Sequence, residues 1–239
     1  TTLCNMAEVL HVSNLSEGAF AGRSENSKPP FFAVFGKPIG HSLSPLMQNA
    51  ALAKVAKTNA ELDGAKYFAF EVEPEKLAET LDVFWRKNFA GINLTIPHKE
   101  IAMRVVDDFD ASAENAKACN TLLRTPRGWK GFNTDGFGVS AAVEHAFGRG
   151  FANADAVLLG AGGAARGAAA AIIAAGCKSL LAANRNPERL KKFADDLSME
   201  NFEIKTASLA GIEAKIPPRA IVVNATSVGL NADDSPVVD

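Results

Sequence analysis

The stretch Ala156-Val157-Leu158-Leu159-Gly160-Ala161-Gly162-Gly163-Ala164-Ala165-Arg166 joins a short apolar run to a glycine-rich turn and a run of small residues. The apolar run predicts a buried strand, and the small residues predict a helix. Gly160, Gly162 and Ala165 match the pattern G-x-G-x-x-G/A in the strand-and-helix context that it requires. The glycines permit a tight turn and let a pyrophosphate approach the backbone at the helix N-terminus. The sequence therefore predicts a Rossmann-type dinucleotide-binding domain.

The choice of cofactor depends on the residues that follow the next predicted strand, Ser179 to Ala183. An NAD-selective protein usually carries an acid about 20 residues after the glycine turn, to bind the ribose hydroxyl. This chain instead has Asn184-Arg185-Asn186-Pro187-Glu188-Arg189, in which Asn186 and Pro187 are typical of a helix start. Two guanidinium groups at such a start suit a 2′-phosphate, so the pattern favours NADP. The alternative interpretation is a pair of solvated surface arginines.

Strands and helices alternate through the rest of the chain, which predicts a mainly parallel sheet covered on both faces. The predicted strands are Phe31–Gly36, Tyr67–Val72, Ile92–Ile96 and Ala220–Asn224, and the predicted helices are 44–56, 75–88, 99–106, 134–147 and one that begins at Pro187. We expect residues 1–30 to form a flexible N-terminal extension, 31–134 a substrate-binding catalytic domain, and 135–239 an NADP-binding Rossmann domain. The helix over 134–147 is expected to bridge the two domains.

Composition excludes several other classes of protein. The chain has 239 residues and a formal net charge of −2, which gives no electrostatic reason to bind nucleic acid or an anionic membrane surface. No apolar run reaches the roughly 18 residues that a membrane helix needs. Cys4, Cys119 and Cys177 share no metal-ligand or redox spacing, and an odd count argues against a disulfide framework. We predict a soluble cytoplasmic protein without a metal ion.

Polar side chains that suit a hydroxyl-rich substrate follow the third predicted strand. In Gly91-Ile92-Asn93-Leu94-Thr95-Ile96-Pro97-His98-Lys99, Asn93 and Thr95 share one face of the strand. Pro97 ends the strand, and Lys99 follows at the carboxyl end, where α/β sheets usually bind ligands. Taken alone, Lys99 is more typical of a solvated helix start. We interpret His98 as a packing residue.

Three further segments carry polar residues of the same kind. Ser42 and Ser44 lie on a turn before a predicted helix and suit a carboxylate, although Ser44 could simply cap the helix. Asn120-Thr121 and Asn133-Thr134-Asp135 each place an amide beside a hydroxyl after a turn-like stretch. Lys99 and Asp135 are the candidate acid–base pair, because a lysine near a carboxylate can exchange a proton with an alcohol oxygen.

In these segments the chain resembles the shikimate dehydrogenase (shikimate/quinate 5-dehydrogenase) family from about Phe31 to Leu230. The family's segments occur in order, as Ser42-Leu43-Ser44, Asn93 to Lys99, Asn120-Thr121-Leu122, Asn133 to Gly136, the glycine turn, and Asn224-Ala225-Thr226-Ser227-Val228-Gly229. The resemblance implies an oxidoreductase of the shikimate pathway of aromatic amino-acid biosynthesis. It would reduce 3-dehydroshikimate to shikimate reversibly with NADPH.

The resemblance and the residue patterns together predict the site. The predicted catalytic residues are Lys99 and Asp135. The predicted substrate contacts are Ser42 and Ser44 for the carboxylate, and Asn93, Thr95, Asn120 and Asp135 for the ring hydroxyls. The predicted cofactor contacts are Gly160, Gly162, Gly163, Ala164, Asn184, Arg185, Arg189, Thr226 and Ser227.

Two departures from the family pattern bear on these expectations. Asn186 stands where the family usually has threonine, and it still suits a helix cap. The family continues past Asp239 with a strand, a glutamine that contacts substrate and closing helices, so the resemblance predicts an incomplete C-terminus. The alternatives are a relative that oxidises quinate as well as shikimate and uses NAD, and a regulatory relative that binds NADP without turnover. The expected assembly is a monomer or a homodimer.

Overall fold

A computed structural model describes residues 8–24, 26–229 and 237 and shows an α/β protein in two compact units. The first unit comprises the described residues up to Asp110 together with Cys119–Phe132. The second comprises Ala111–Ala118 together with the described residues from Asn133 onward. Within the described residues, no helix is both long enough and apolar enough to cross a membrane.

Parallel strands form most of the sheet in the first unit. Its elements are β1 (Val9–His11), β2 (Phe31–Gly36), α1 (Ser44–Val55), β3 (Lys66–Glu71), α2 (Leu77–Arg86), β4 (Phe89–Leu94), α3 (His98–Ile101), β5 (Asp108–Phe109), β6 (Thr121–Thr125) and β7 (Gly128–Phe132). The described strands follow the order β1-β3-β2-β4-β6-β7-β5. Strands β1 to β4 pair in parallel, whereas β6 is antiparallel to both β4 and β7. The predicted mainly parallel α/β sheet is confirmed, and the β6–β7 hairpin is an addition to it.

Residues 8–24 and 26–30 belong to the first unit, contrary to the flexible extension expected over residues 1–30. Strand β1 pairs with β3, and the Phe20 side chain is only 6% exposed. The Phe20 ring lies edge-on to Phe31, Phe68 and Phe70, at centroid distances of 5.9, 4.9 and 5.7 Å. Such aromatic pairs each contribute about 0.5–1.5 kcal/mol beyond the burial of area. This burial anchors a segment that its polar composition had suggested would be loose; residues 1–7 and 25 lie outside the described part.

The second unit contains a parallel sheet with helices packed on it. Its elements are α4 (Ala111–Ala116), α5 (Asp135–Phe147), β8 (Asp155–Leu159), α6 (Gly163–Ala174), β9 (Ser179–Asn184), α7 (Pro187–Leu197), β10 (Lys205–Ser208) and β11 (Ile221–Asn224). The described strands follow the order β10-β9-β8-β11, all parallel. The main core cluster includes Leu158, Ile172 and Phe193, all fully buried. The predicted Rossmann-type arrangement is confirmed, and β10 had not been predicted.

Segment 111–118 packs with the second unit, whereas the sequence had placed it in the first domain. The buried side chain of Asn133 donates its Nδ2–H to the Ala118 carbonyl at 2.9 Å. The Asn133 backbone N–H donates to the Ser112 hydroxyl at 3.0 Å. These bonds tie α4 to the residues that precede α5, a long-range pairing that no local pattern reports.

Candidate active site

Strands β2 and β4 end side by side and bring the first group of predicted residues to one edge of the sheet. Phe35 pairs with Leu94, and Thr95 N–H donates to the Phe35 carbonyl at 2.9 Å. Lys37 N–H donates to the Ile96 carbonyl at 2.9 Å, which joins the two segments just beyond the strands. Thr95 therefore lies at the carboxyl ends of two parallel strands, the usual place for a ligand in such sheets.

Asn93 is held in a network of hydrogen bonds on β4 and β6. Its Nδ2 donates to the Asn120 carbonyl at 3.3 Å and to Thr121 Oγ1 at 3.1 Å. Its Oδ1 accepts from the Tyr67 hydroxyl at 2.7 Å, and Thr121 Oγ1 donates to Asn120 Oδ1 at 2.9 Å. The structure thus brings Asn93 and Asn120 together, as the predicted substrate site requires.

Lys99 lies on the short helix α3, directly after the turn that ends β4. His98 N–H donates to the Thr95 carbonyl at 2.7 Å, and Cys119 N–H donates to the Lys99 carbonyl at 2.8 Å. The Lys99 backbone is therefore fixed beside the segment that carries Asn120. His98 is fully buried, as expected of a packing residue, and desolvation lowers its pKa, an effect that the nearby Val72 backbone partly opposes.

The serine turn precedes α1, and it corrects one detail of the sequence interpretation. Ser44 is the first helical residue, Leu43 occupies the cap position, and Leu43 makes no side-chain capping bond. Ser42 Oγ instead accepts from the Ser44 N–H at 3.3 Å. Because Pro45 lacks an N–H, this hydroxyl satisfies one of the few amides at the helix start. Both serines are half-buried and remain candidates for binding a carboxylate.

Asp135 belongs to the second unit, whereas Lys99 belongs to the first. Asp135 is the first residue of α5, and its backbone N–H donates to Asn133 Oδ1 at 3.0 Å. A Cβ atom added at Gly167 of α6 would lie 2.6 Å from Asn133 Oδ1 and 2.9 Å from Asp135 Cβ. A Cβ at Gly136 would lie 2.6 Å from the Gly167 carbonyl oxygen. The close approach of α5 to α6 therefore fixes the position of Asp135.

The glycine turn between β8 and α6 has the shape that a dinucleotide phosphate needs. Gly160 has a φ of +116°, a conformation that favours glycine, and a Cβ there would lie 2.9 Å from the Ala225 carbonyl oxygen. Gly162 is the cap residue of α6, so Gly163 and Ala164 form its first turn. The first backbone N–H groups of such a helix have no intrahelical partner and favour an anion. The residues present therefore fit the phosphates of a dinucleotide.

Arg189 adds positive charge to this turn. Its Nε donates to the Ala161 carbonyl at 3.1 Å, and its Nη2 would lie 3.3 Å from a Cβ at Gly162. Its backbone N–H donates to Asn186 Oδ1 at 2.8 Å, which confirms the predicted cap of α7. Asn184 Nδ2 donates to the Asn186 carbonyl at 3.2 Å, whereas Arg185 is exposed to solvent. Arg189 thus contacts the glycine turn, and Asn184 ends β9, the strand that pairs with β8.

The segment after β11 lies against the glycine turn and is held by its own side chains. Thr226 donates its hydroxyl to Asn224 Oδ1 at 2.7 Å, and Val228 N–H donates to Thr226 Oγ1 at 3.1 Å. Ala225 N–H donates to the Leu159 carbonyl at 2.8 Å. Thr226 and the exposed Ser227 therefore follow directly on a residue that touches Gly160, as their predicted role requires.

Three residues that support the site were not identified from sequence. Tyr67 had been interpreted only as the start of an apolar strand, Asn49 as part of a helix, and Gly167 as one small residue among many. Each acts through a partner distant in the chain, and only the aromatic hydroxyl of Tyr67 could have served as a signal. Among the described residues, no group of three or more His, Cys, Asp or Glu side chains could hold a metal ion.

Comparison with known proteins follows the same division of the chain. A family model described as the shikimate dehydrogenase substrate binding domain matches residues 34–122, and one described as shikimate / quinate 5-dehydrogenase matches residues 141–231. A curated shikimate dehydrogenase (NADP(+)) of Moorella thermoacetica is 40% identical over 203 residues, which are 83% of this chain and 66% of that protein. The chain thus spans about two thirds of the length of the curated relatives that it matches.

Solved structures agree. The shikimate 5-dehydrogenase of Thermus thermophilus, in complex with NADP(H) and shikimate, has a TM-score of 0.69 and 33% identity and covers 87% of this chain and 72% of its own. The enzyme of Listeria monocytogenes, in complex with shikimate and NAD, has a TM-score of 0.72 and 28% identity, covering 84% and 70%. With the substrate-domain network and the glycine turn both in place, the chain belongs to the shikimate dehydrogenase family.

Proposed function

We propose that this chain carries out the reversible, NADP-dependent interconversion of shikimate and 3-dehydroshikimate, a step of the shikimate pathway. The observation that carries the proposal is the grouping of Asn93, Thr95, Lys99 and Asn120 at one edge of the first unit's sheet. That edge offers neutral hydrogen-bonding groups for hydroxyls, and Lys99 is the residue to which we assign proton transfer. Relatives about 40% identical carry the name shikimate dehydrogenase (NADP(+)).

The substrate is bound through its carboxylate and its ring hydroxyls. Ser42 and Ser44 hold the carboxylate with hydroxyl donors at the start of α1, where the helix dipole also favours negative charge. Asn93, Thr95 and Asn120 bind ring hydroxyls, and Asp135 contributes a further acceptor. A ring hydroxyl loses its hydrogen bonds to water when the substrate binds. Neutral amides and hydroxyls suit this task because they replace those bonds.

Proton transfer is assigned to Lys99 and Asp135. When bound, NADPH would supply the hydride for the reduction. Lys99 delivers a proton to the ketone oxygen as charge develops on it, and in the reverse direction it accepts the alcohol proton. Asp135 is the second member of this predicted acid–base pair. Gly160, Gly162, Gly163 and Ala164 bind the phosphates, with Thr226 and Ser227 alongside.

Cofactor choice is assigned to Asn184, Arg185 and Arg189. Arg189 is already held across the glycine turn by its bond to the Ala161 carbonyl, which orients its guanidinium group. A charge-assisted hydrogen bond to a 2′-phosphate is about twice as strong as a neutral one. No acid follows β9 at the position where an NAD-selective protein carries one.

A measurement of nicotinamide absorbance with shikimate and NADP⁺ tests this function, and Lys99→Ala tests the mechanism. Removing a general acid–base should lower kcat by roughly 100-fold to 10,000-fold. The affinity for NADP⁺ should stay within about twofold, because the cofactor residues belong to the other unit. Lys76→Ala is the matched control, since Lys76 forms an exposed ion pair with Glu79. Full activity of Lys99→Ala would remove Lys99 from the mechanism, and no turnover by the unaltered protein would favour a regulatory NADP-binding role.

A second candidate is a broader activity that includes quinate and NAD. The matched family model is described as shikimate / quinate 5-dehydrogenase, and the Listeria structure contains NAD. Steady-state kinetics with both substrates and both cofactors separate the two, and a higher kcat/KM for quinate with NAD⁺ would replace the first proposal. Light scattering and cell fractionation test the predicted monomer or homodimer and the predicted cytoplasmic location.

A further inference from the structure

Tyr67 is the single tyrosine of the chain, and its hydroxyl reaches a residue of the proposed substrate site. It lies on β3, is 6% exposed, and packs in a cluster with Val34, Ile39 and Ala69. Its hydroxyl donates to Asn93 Oδ1 at 2.7 Å. Burial raises the pKa of this phenol, so the hydroxyl keeps its proton at any working pH. The ring is thus a fixed donor directed at Asn93.

The bonds around Asn93 settle which way its amide group faces. The Asn120 carbonyl can only accept, so the amide nitrogen must face it, and the amide oxygen must face Tyr67. Both N–H groups of Asn93 are used, one by the Asn120 carbonyl and one by Thr121 Oγ1. One of the two lone pairs of Oδ1 is used by Tyr67. What Asn93 can still offer a ligand is a single acceptor.

Tyr67 is itself fixed by Asn49 of α1. Asn49 Nδ2 donates to the Tyr67 carbonyl at 2.8 Å, and Tyr67 N–H donates to Asn49 Oδ1 at 2.8 Å. Among the described residues, β1 pairs with β3 from Ala69 onward, and the Asn49 amide supplies the hydrogen-bond partners of the Tyr67 backbone. Ser44 starts the same helix that carries Asn49. The two Asn49–Tyr67 bonds and the Tyr67–Asn93 bond therefore link the serine turn to Asn93.

We propose that Tyr67 is a positioning residue that fixes Asn93 as a hydrogen-bond acceptor for a substrate hydroxyl that does not react. This inference rests on the proposed function. The oxygen at the reacting carbon becomes a ketone in one direction and then has no proton to donate. If Asn93 can only accept, its oxygen would repel that ketone oxygen. A hydroxyl that does not react can donate to Asn93 Oδ1 equally well in the substrate and in the product. Asn93 therefore contributes uniform binding, which appears in KM and not in kcat.

The test compares Tyr67→Phe with the unaltered full chain. We expect the KM for shikimate to rise roughly 3-fold to 10-fold, as for the loss of one hydrogen bond, with kcat and the KM for NADP⁺ within about twofold. The two analogues of shikimate that each lack one non-reacting hydroxyl give the sharper readout. For one of them, Tyr67→Phe should change the KM by less than about twofold, because the group that Asn93 accepts from is already missing.

Two further variants keep the test decisive if Tyr67→Phe folds poorly. Thr121→Val removes an acceptor of Asn93 and should also raise the KM for shikimate. Thr125→Val is its matched control, because Thr125 lies on the same strand and its hydroxyl donates to the Gly128 carbonyl at the hairpin turn. The control should leave both KM values unchanged.

The possible outcomes separate the inference from the function on which it rests. A Tyr67→Phe protein with unaltered KM for shikimate, or one in which kcat and both KM values worsen together with the melting temperature, overturns the positioning role. An equal effect of Tyr67→Phe on shikimate and on both analogues also overturns it. Absence of shikimate binding and turnover in the unaltered protein would remove the proposed function, and the inference with it.

Discussion

Replacing Gly167 with alanine tests how the fold holds Asp135 at its working position. The added Cβ would lie 2.6 Å from Asn133 Oδ1 and 2.9 Å from Asp135 Cβ, whereas ordinary contacts begin at 3.4 Å. Asn133 would therefore have to retreat by about 0.8 Å and Asp135 by about 0.5 Å. Because Asp135 N–H donates to Asn133 Oδ1, the two residues move together.

The expected size of the effect follows from this displacement. A misplacement of 1 Å in an active site can cost roughly 100-fold, so half of that predicts a kcat about 10-fold lower. The overpacked contact should also destabilise the protein by about 1–3 kcal/mol. The assay is shikimate oxidation with NADP⁺, followed by absorbance well below the melting temperature of each variant, with thermal unfolding measured in parallel.

Two variants on α5 sharpen the comparison. Gly138→Ala adds a methyl group where no atom outside the neighbouring helix backbone lies within 4 Å, and it should leave kcat unchanged while raising helix stability by up to about 1 kcal/mol. Gly136→Ala perturbs the same contact between α5 and α6, because its Cβ would lie 2.6 Å from the Gly167 carbonyl oxygen. This variant should lower kcat as Gly167→Ala does. Gly167→Ala with kcat within twofold of the unaltered protein would refute the reasoning that the α5–α6 contact sets the position of Asp135.

Two other predictions concern the cofactor and pH. Arg189→Ala removes a charge-assisted bond worth about 1.5–3 kcal/mol, so the KM for NADP⁺ should rise roughly 10-fold to 100-fold while that for NAD⁺ barely changes; parallel losses with both cofactors would contradict the assignment. Desolvation lowers the pKa of buried His98, so the unfolded state takes up a proton below about pH 6.5 that the native state resists. The free energy of unfolding should therefore fall between pH 7.5 and 5.5, by at most about 1.4 kcal/mol per pH unit, and urea titrations of His98→Gln should show a smaller fall.

Local patterns were sufficient for the glycine turn and for the elements on either side of it. The strand β8, the glycine turn and α6 are contiguous, and the positive φ of Gly160 favours glycine at that position. The cap of α7 by Asn186 is likewise a contact between residues three apart. The glycine turn and the helix cap can be predicted from the sequence because the residues that cause each feature lie within the few positions that form it.

The first unit was harder to predict, because its features depend on distant partners. Phe20 is a lone aromatic in a polar segment, and the rings that bury it come from β2 and β3. The hairpin of β6 and β7 buries Leu122 and Trp129 but leaves Leu123 half exposed, so alternation along the strands is weak. The Tyr67–Asn93 bond spans 26 residues and depends on the register of two strands with β2.

The sequence correctly predicted that a strand ends at Gly36, but it did not show the contacts that favour glycine there. Its place at the end of an apolar run predicted the end of a strand, and β2 does end there. The structure adds that a Cβ at Gly36 would lie 2.5 Å from Thr95 Cγ2 and 2.8 Å from Ile39 Cδ1. Because β2 and β4 are parallel neighbours, a side chain at position 36 would force Thr95 and Ile39 to move. Gly36 therefore leaves room for Thr95 at the predicted substrate site, although it offers a substrate no functional group.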